Sequence, residues 1–543
     1  MLDIPTPRPL PHNEPVLHYA KGSPERAELE TALTAMRSEC PEVPHVIGGR
    51  AVSEGTMFDV REPHAHAKVR AKVFGATKGV TQRAIDAALA AQPAWAATPF
   101  DERARVFSRA ADLLAGSWRQ VLNAATMLGQ SKTAFQAEID AACELIDFLR
   151  FNVAFASRLA EQPFSPAGMQ NALELRPLEG FVFAVTPFNF TAIAGNLPTA
   201  PALLGNVVVW KPAENQSLGA YHLMRLFEAA GLPPGVINVV YGDGALVADE
   251  CLAHPKLAGV HFTGSTKVFQ AIWRTIGERI ATYRTYPRLV GETGGKDFVY
   301  AHPSADESAL VTALVRGAFE FQGQKCSAAS RAYLPRSMWG RVKDRLVAET
   351  KALTMGDVTD FGNFMGAVIN ERAYTRLAGW LDRANQDRAC TVLHEGAWSR
   401  ADGWFCGPTL VEVSDPAHPI LAEELFGPIL SIHVYDDAKP GADDEVLRLI
   451  DETSPYALTG AIFSRDRAPI AKAAHVLRQA AGNLYVNDKP TGAVVGQQPF
   501  GGARGSGTND KAGAAYNLLR WASPRVVKET WAAPTRVPYP YQQ

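Results

Sequence analysis

The sequence predicts an α/β protein built on parallel sheets. From Gly180 onward, short runs of β-branched and aromatic residues alternate with helical stretches at the spacing of β–α–β units. Some of these runs, such as 207–210, are apolar throughout, as strands covered on both faces must be. The chain has 543 residues, enough for two to four domains with large cores.

Taken in order, residues 1–44 are rich in proline and charge and are expected to form an irregular arm. Residues 81–97 and 101–115 read as helices. In the second, Asp101 is placed to cap the N-terminus, with Val106, Ala110, Leu113 and Leu114 on one face. A long helix is expected over 131–160, apolar at Ile139, Cys143, Ile146, Phe148 and Leu149. Strands follow at 181–185, 207–210, 236–240, 260–262 and 289–290, with helices near 192–204, 218–230, 245–252 and 267–280. Sheets of this kind take ligands at the carboxyl ends of their strands. A second α/β block begins at Asp297, with a helix over 308–319 and strands near 332–334 and 429–434. Beyond Gly505 the chain has a β-like piece, Arg525-Val526-Val527-Lys528, and little core of its own. Its apolar residues are expected to pair with another subunit.

The formal charge of −2, with 20% charged residues, gives no electrostatic footprint for nucleic acid or an anionic membrane. No apolar run approaches the roughly 20 residues that span a bilayer. The first fifteen residues have neither a secretory apolar core nor an Arg-rich amphipathic pattern, so a cytoplasmic protein is expected. The six cysteines form no CxxC and no His–Cys cluster with metal-ligand spacing. Free thiols and no metal site follow.

One cysteine stands apart. Cys326 lies in Gln322-Gly323-Gln324-Lys325-Cys326-Ser327, among polar and small residues. A free thiol is a few per cent thiolate at neutral pH, and a nearby cation or helix N-terminus raises that fraction. Glu292, in Gly291-Glu292-Thr293-Gly294-Gly295-Lys296, sits between a strand end and a turn read as flexible. As a general base it would be worth on the order of 10²–10⁴-fold, and capping of the turn is the bland alternative. Asn189, just past the strand at 181–185, can donate to an oxyanion or simply hold a turn. Lys211 and Glu214 follow the next strand, where charged groups meet ribose hydroxyls or merely pair in solvent. In Phe262-Thr263-Gly264-Ser265-Thr266 a strand runs into a helix whose first N–H groups can hold a pyrophosphate. The run 502–507 is a weak glycine-loop signal and no dinucleotide fingerprint.

Together the segments Pro187-Phe188-Asn189-Phe190, Trp210-Lys211-Pro212-Ala213-Glu214, 262–266, 291–297, 322–327 and Glu423-Glu424-Leu425-Phe426-Gly427-Pro428 resemble the NAD(P)-dependent aldehyde dehydrogenase superfamily, in family order over about residues 45–530. The loop 491–502 and the run 505–511 are similar to the branch that oxidises L-glutamate γ-semialdehyde. The resemblance implies a Rossmann-like NAD-binding domain over 45–162 and 186–293, an α/β catalytic domain over 294–504, and a small β oligomerisation element from 163–185 and 505–543. It implies Cys326 as nucleophile, Glu292 as base, and Asn189 with the Cys326 amide as oxyanion hole. Lys211 and Glu214 would hold the adenosine ribose, Gly264 and Ser265 the pyrophosphate, and Glu424 and Phe426 the nicotinamide half of NAD. The amides of Gly492 and Ala493 and the Ser327 hydroxyl would anchor the substrate α-carboxylate, with Phe190 and Phe500 on either side of its aliphatic chain. A small-molecule substrate, a homodimer or larger homo-oligomer, and a proline dehydrogenase on a separate polypeptide are the partners implied. Another semialdehyde dehydrogenase of the same superfamily and a catalytically silent NAD-binding protein remain the alternatives.

Overall fold

The computed structural model describes residues 5–542. The first four residues of the expected arm and the last of the tail lie outside them. Two seven-stranded sheets organise the chain. The first contains β1 (His45–Ile47), β2 (Arg50–Val52), β3 (Phe181–Thr186), β4 (Val207–Pro212), β5 (Ile237–Val239), β6 (Leu257–Thr263) and β7 (Arg288–Glu292), in spatial order β7-β6-β3-β4-β5-β1-β2. Its five later strands are all parallel, β1 runs against them, and β2 runs against β1. The burial is as the apolar runs require: Val207, Val208, Val209 and Trp210 are fully enclosed.

The chain leaves β3 toward β4 and β5, then crosses to the other side of β3 to lay down β6 and β7. The direction of winding therefore reverses between β3 and β6. A crevice opens outside the carboxyl ends of strands at such a switch point. Asn189, Lys211, Ser265 and Glu292 all emerge along this edge.

The second sheet contains β8 (Asp297–Ala301), β9 (Ala329–Pro335), β10 (Cys390–Glu395), β11 (Thr409–Val413), β12 (Ile429–Tyr435), β13 (Thr459–Phe463) and β14 (Asn483–Val486), in the order β10-β11-β12-β9-β8-β13-β14. Only β10 runs antiparallel. Cys326 lies in the stretch between the helix Glu307–Phe319 and β9. The tail strand Ser523–Thr530 pairs antiparallel with Met169–Arg176 as a separate ribbon.

Four expectations need correction. The arm is not wholly irregular: Pro24–Ser38 is a helix. Ser23 caps it through the Arg26 amide, Pro24 opens it, and Leu29 and Leu33, four apart, are buried against Arg119–Gln130. Asp101 caps nothing. The next helix begins at Phe100 behind Pro99, and the Asp101 carboxylate pairs with Arg8 at 2.6 Å. The buried face of that helix runs through Phe107, Ala111 and Leu114, so Val106 and Leu113 lie at its margin.

The long helix expected over 131–160 spans Ala134–Ala156 and contains a π-helical stretch, Glu138–Glu144. The wider turn rotates the register. Ile139 is left outside, while Glu138 and Asp140 are buried. Finally, a boundary at 185/186 would cut β3, so Phe181–Thr186 belongs whole to the first sheet. Its backbone hydrogen bonds run to β4 and β6, not to the tail ribbon.

Candidate active site

Three glycine-bearing loops meet at Cys326. A Cβ on Gly295 would lie 2.4 Å from the Cys326 carbonyl oxygen and 2.5 Å from Asp297 Oδ2. One on Gly294 would overlap the Glu424 carboxylate, and one on Gly323 would strike the Gly427 carbonyl at 2.5 Å. The turn 293–295 is therefore packed, not free. Its glycines permit close approach, and Thr293 ties it down through its amide to the Ser506 carbonyl and its hydroxyl to the Gly505 carbonyl.

The segment leading to Cys326 is bent by three successive left-handed residues, Phe321, Gln322 and Gly323, with φ of 52°, 54° and 65°. The first two carry a Cβ, and such a backbone costs on the order of 1–3 kcal/mol per residue. The buried Gln322 amide offsets this. It donates to the Ser131 and Ala367 carbonyls at 3.0 and 2.8 Å and accepts from the Gly366 amide at 3.0 Å. Gln324 likewise accepts from the Ile369 amide. Neither glutamine was singled out in the sequence, since their partners lie far along the chain.

Cys326 is half-buried. Burial pushes its thiol well above the ordinary range, and Asp297, Glu292 and Glu424 push it further. The cation sought for a thiolate does not govern the thiol here. Glu292 closes β7 and is enclosed by the segment 501–507. The Gly502 amide donates to Oε2 at 3.2 Å, and the Glu292 backbone bridges Gly507. Burial also raises this carboxyl well above its usual range, with Lys511 pulling the other way. Glu424 accepts from the Gly295 amide at 3.0 Å, and burial pushes it up to about 7. Phe426, with φ of 52°, sets its ring edge-on to Phe188.

Asn189 is buried, and its Nδ2 donates to the Gln324 carbonyl at 3.0 Å, which places the amide beside the Cys326 loop with a second N–H to spare. The residues that follow it are held by an ion pair the sequence did not reveal. Lys132 Nζ meets Asp140 Oδ2 at 2.6 Å, between the rings of Phe190 and Phe321. Both Asp140 oxygens also accept amides of Thr191 and Ala192.

On the other flank, the Ser327 hydroxyl bonds to Thr491 Oγ1 at 2.8 Å, bringing the loop that carries Gly492, Ala493 and Phe500 to the Cys326 segment. Gly492 takes φ of 95°, which a residue with a Cβ rarely adopts. Phe190 and Phe500 are both half-buried.

Along the crevice, Lys211 is buried, with Glu214 and Asp243 acting on its charge, while Glu214 itself is exposed. Ser265 caps the helix Thr266–Glu278 and accepts from the Val268 amide. The first turn of that helix contains no acidic residue. A helix N-terminus of this kind, preceded by Gly264 and flanked by a lysine and a carboxylate, fits a dinucleotide with its pyrophosphate on the helix and its ribose hydroxyls on the charged pair. No group of His, Cys, Asp or Glu among the described residues can hold a metal ion.

A thiol beside a strand edge that carries a buried carboxyl, an amide donor and a helix N-terminus has the groups that covalent catalysis next to a bound nucleotide would need. Residues 51–527 match the aldehyde dehydrogenase family, and the chain belongs to it. It is 47% identical over 520 residues to the mitochondrial Δ1-pyrroline-5-carboxylate dehydrogenases of Mus musculus and of Homo sapiens, a match covering 95% of this chain and 92% of each relative. Its fold superposes on the NAD-bound crystal structure of the Δ-pyrroline-5-carboxylate dehydrogenase from Mycobacterium tuberculosis with a TM-score of 0.95, at 55% identity and 99% coverage of both chains. The expectation of a cytoplasmic protein is overturned by the mouse and human relatives, both named as mitochondrial. The absence of an apolar or Arg-rich leader pattern had carried that expectation, and it is a weak guide to location.

Proposed function

We propose that the protein oxidises L-glutamate γ-semialdehyde, the open form of Δ1-pyrroline-5-carboxylate, to L-glutamate with NAD, the second step of proline degradation. The observation that carries this reading is the Ser327–Thr491 contact, which joins the nucleophile loop to the loop of Gly492 and Ala493. An aldehyde whose far end is a carboxylate would meet both at once.

The Cys326 sulfur adds to the aldehyde carbon as its proton leaves. The resulting oxyanion accepts hydrogen bonds from Asn189 Nδ2 and the Cys326 amide, a donor set worth on the order of 10²–10³-fold in rate. Bound NAD supplies the acceptor for the hydride lost from that carbon. Lys211 and Glu214 would hold its adenosine ribose, Gly264 and Ser265 its pyrophosphate, and Glu424 and Phe426 its nicotinamide half. Glu214 near the ribose 2′-hydroxyl would repel a 2′-phosphate and so favour NAD over NADP. The product on Cys326 is a thioester. Glu292 then takes a proton from water, which attacks the acyl carbon and releases L-glutamate. A proline dehydrogenase on a separate polypeptide would supply the substrate.

We place the nucleotide-binding unit on the first sheet and the thiol-bearing unit on the second. The tail ribbon would add to a second copy of the chain. In support, Val526 on the tail strand and Trp531 just past its end are 64% and 66% exposed. Light scattering of the full chain and of a chain ending at Ala522 tests this, since an equal number of subunits in both would remove the ribbon from the interface.

The test of activity is NADH formation with Δ1-pyrroline-5-carboxylate beside succinate semialdehyde and butanal, with and without free coenzyme A. The reading requires the highest kcat/KM on the first compound and no acyl-CoA product. Equal kcat/KM across the aldehydes would reject it.

A further inference from the structure

The loop that carries Gly492 and Ala493 has no regular secondary structure over residues 491–494, and its anchoring amides are useful only if they stay at a fixed distance from Cys326. One end is pinned by the Thr491–Ser327 hydrogen bond. The other end is pinned by a residue almost five hundred positions away. Asn13 Nδ2 donates to the Val495 carbonyl at 2.8 Å, and Asn13 Oδ1 accepts from Gln497 Nε2 at 2.9 Å.

Asn13 is itself immobilised. Its second Nδ2 hydrogen goes to Asp147 Oδ2 at 2.8 Å, and the neighbouring Glu14 amide donates to Asp147 Oδ1 at 2.8 Å. The Glu14 carboxylate is gripped by Arg119 and Arg150, each at 2.7 Å. Leu17 N and Tyr19 OH both reach Glu138. These contacts strap residues 13–19 onto the helix that contains the π-helical stretch. Both donors and the carbonyl oxygen of the Asn13 side chain are used, two of its three bonds on the loop and one on its support.

We infer that Asn13 is a positioning residue for substrate recognition: through Val495 and Gln497 it holds the amides of Gly492 and Ala493 at the separation from Cys326 that an amino-acid aldehyde needs. The arm thus takes part in specificity without touching substrate. A preorganised loop binds more tightly because less order is lost on binding. Freeing one end weakens capture of the carboxylate end and leaves the chemistry at Cys326 unchanged. The inference rests on the proposed role of the 491–500 loop.

The experiment uses the full-length protein at saturating NAD, with Asn13→Ala, Gln497→Ala and the double variant, on L-glutamate γ-semialdehyde and on butanal. For Asn13→Ala the KM for the semialdehyde rises about tenfold, kcat stays within about twofold, and the KM for butanal does not move. Gln497→Ala, an exposed substitution with little bearing on folding, shifts the same KM in the same direction. The double variant is no worse than Asn13→Ala, because Asn13→Ala already removes the contact through which Gln497 acts. An unchanged semialdehyde KM, or a parallel rise for both aldehydes, overturns the inference while the anchor reading survives. A wild type with no preference for the semialdehyde over butanal fails the anchor reading itself and takes the inference with it.

Discussion

The two sides of the crevice are built differently. On the side of the first sheet, Asn189, Lys211, Ser265 and Glu292 each stand at or within a few residues of the carboxyl end of a parallel strand. Their positions follow from strand pairing. On the thiol side, Cys326, Glu424 and Gly492 sit on irregular segments held by side-chain bonds from distant parts of the chain, with strained backbone at Phe321, Gln322 and Phe426. A strand edge gives placement as a by-product of folding. A loop must be pinned bond by bond, and each pin is a separate point of failure.

The comparison is sharpened first by removing the thiol. Cys326→Ala should form no measurable NADH with any aldehyde while still binding NAD, as followed by protein fluorescence. Residual turnover would place the nucleophile elsewhere. Next comes Glu292→Gln, which should keep the pre-steady-state burst of NADH and lose about 10²–10⁴-fold in steady-state rate. Because burial raises the Glu292 carboxyl well above its usual range, the wild-type steady-state rate should fall on the acid side at a pH well above that range. The burst amplitude of Glu292→Gln should lack this inflection. Asn189→Ala should lower kcat by about 10²–10³-fold with NAD affinity unchanged. A fall in NAD affinity alone would mean that it serves the nucleotide side.

Two smaller effects bear on the pinning. Gln322→Ala strips the Ser131 and Ala367 carbonyls and the Gly366 amide of a buried partner. It should cost about 1–3 kcal/mol in chemical denaturation and reduce kcat more than it alters NAD affinity. An unaltered kcat would mean the strained turn needs no support. Asp297 acts on the Cys326 thiol through its charge, and its own carboxyl is raised by burial to about 8. A carboxyl raised on folding holds its proton longer in the folded chain. Its contribution therefore erodes as pH climbs from its ordinary 3.8 toward about 8. Asp297→Asn should raise Tm by a few degrees near pH 8.5 relative to pH 6. Equal shifts at both pH values would show that the carboxyl does not titrate in this way.

Residues that act through local pattern were legible. The apolar run at 207–210 announced a central strand, and the order of Asn189, Lys211, Ser265, Glu292 and Cys326 announced a family site. Legibility failed wherever a partner lies far along the chain. Nothing in the neighbourhood of Asp101 announced that Arg8 would claim its carboxylate. The Leu29 and Leu33 spacing was readable and was masked by the surrounding prolines.

By itself the sequence determined the parallel-sheet class, most of its strands and helices, and which side-chain types are chemically able to attack, donate or take a proton, because these follow from periodicity and side-chain chemistry over a few residues. The tertiary structure alone decided that three glycine loops meet at Cys326, that the Lys132–Asp140 pair ties down the segment just after Asn189, and that Asn13 reaches the loop at 495–497. Those contacts join residues tens to hundreds of positions apart. Their geometry exists only once burial has brought separate elements together, so no local pattern encodes it.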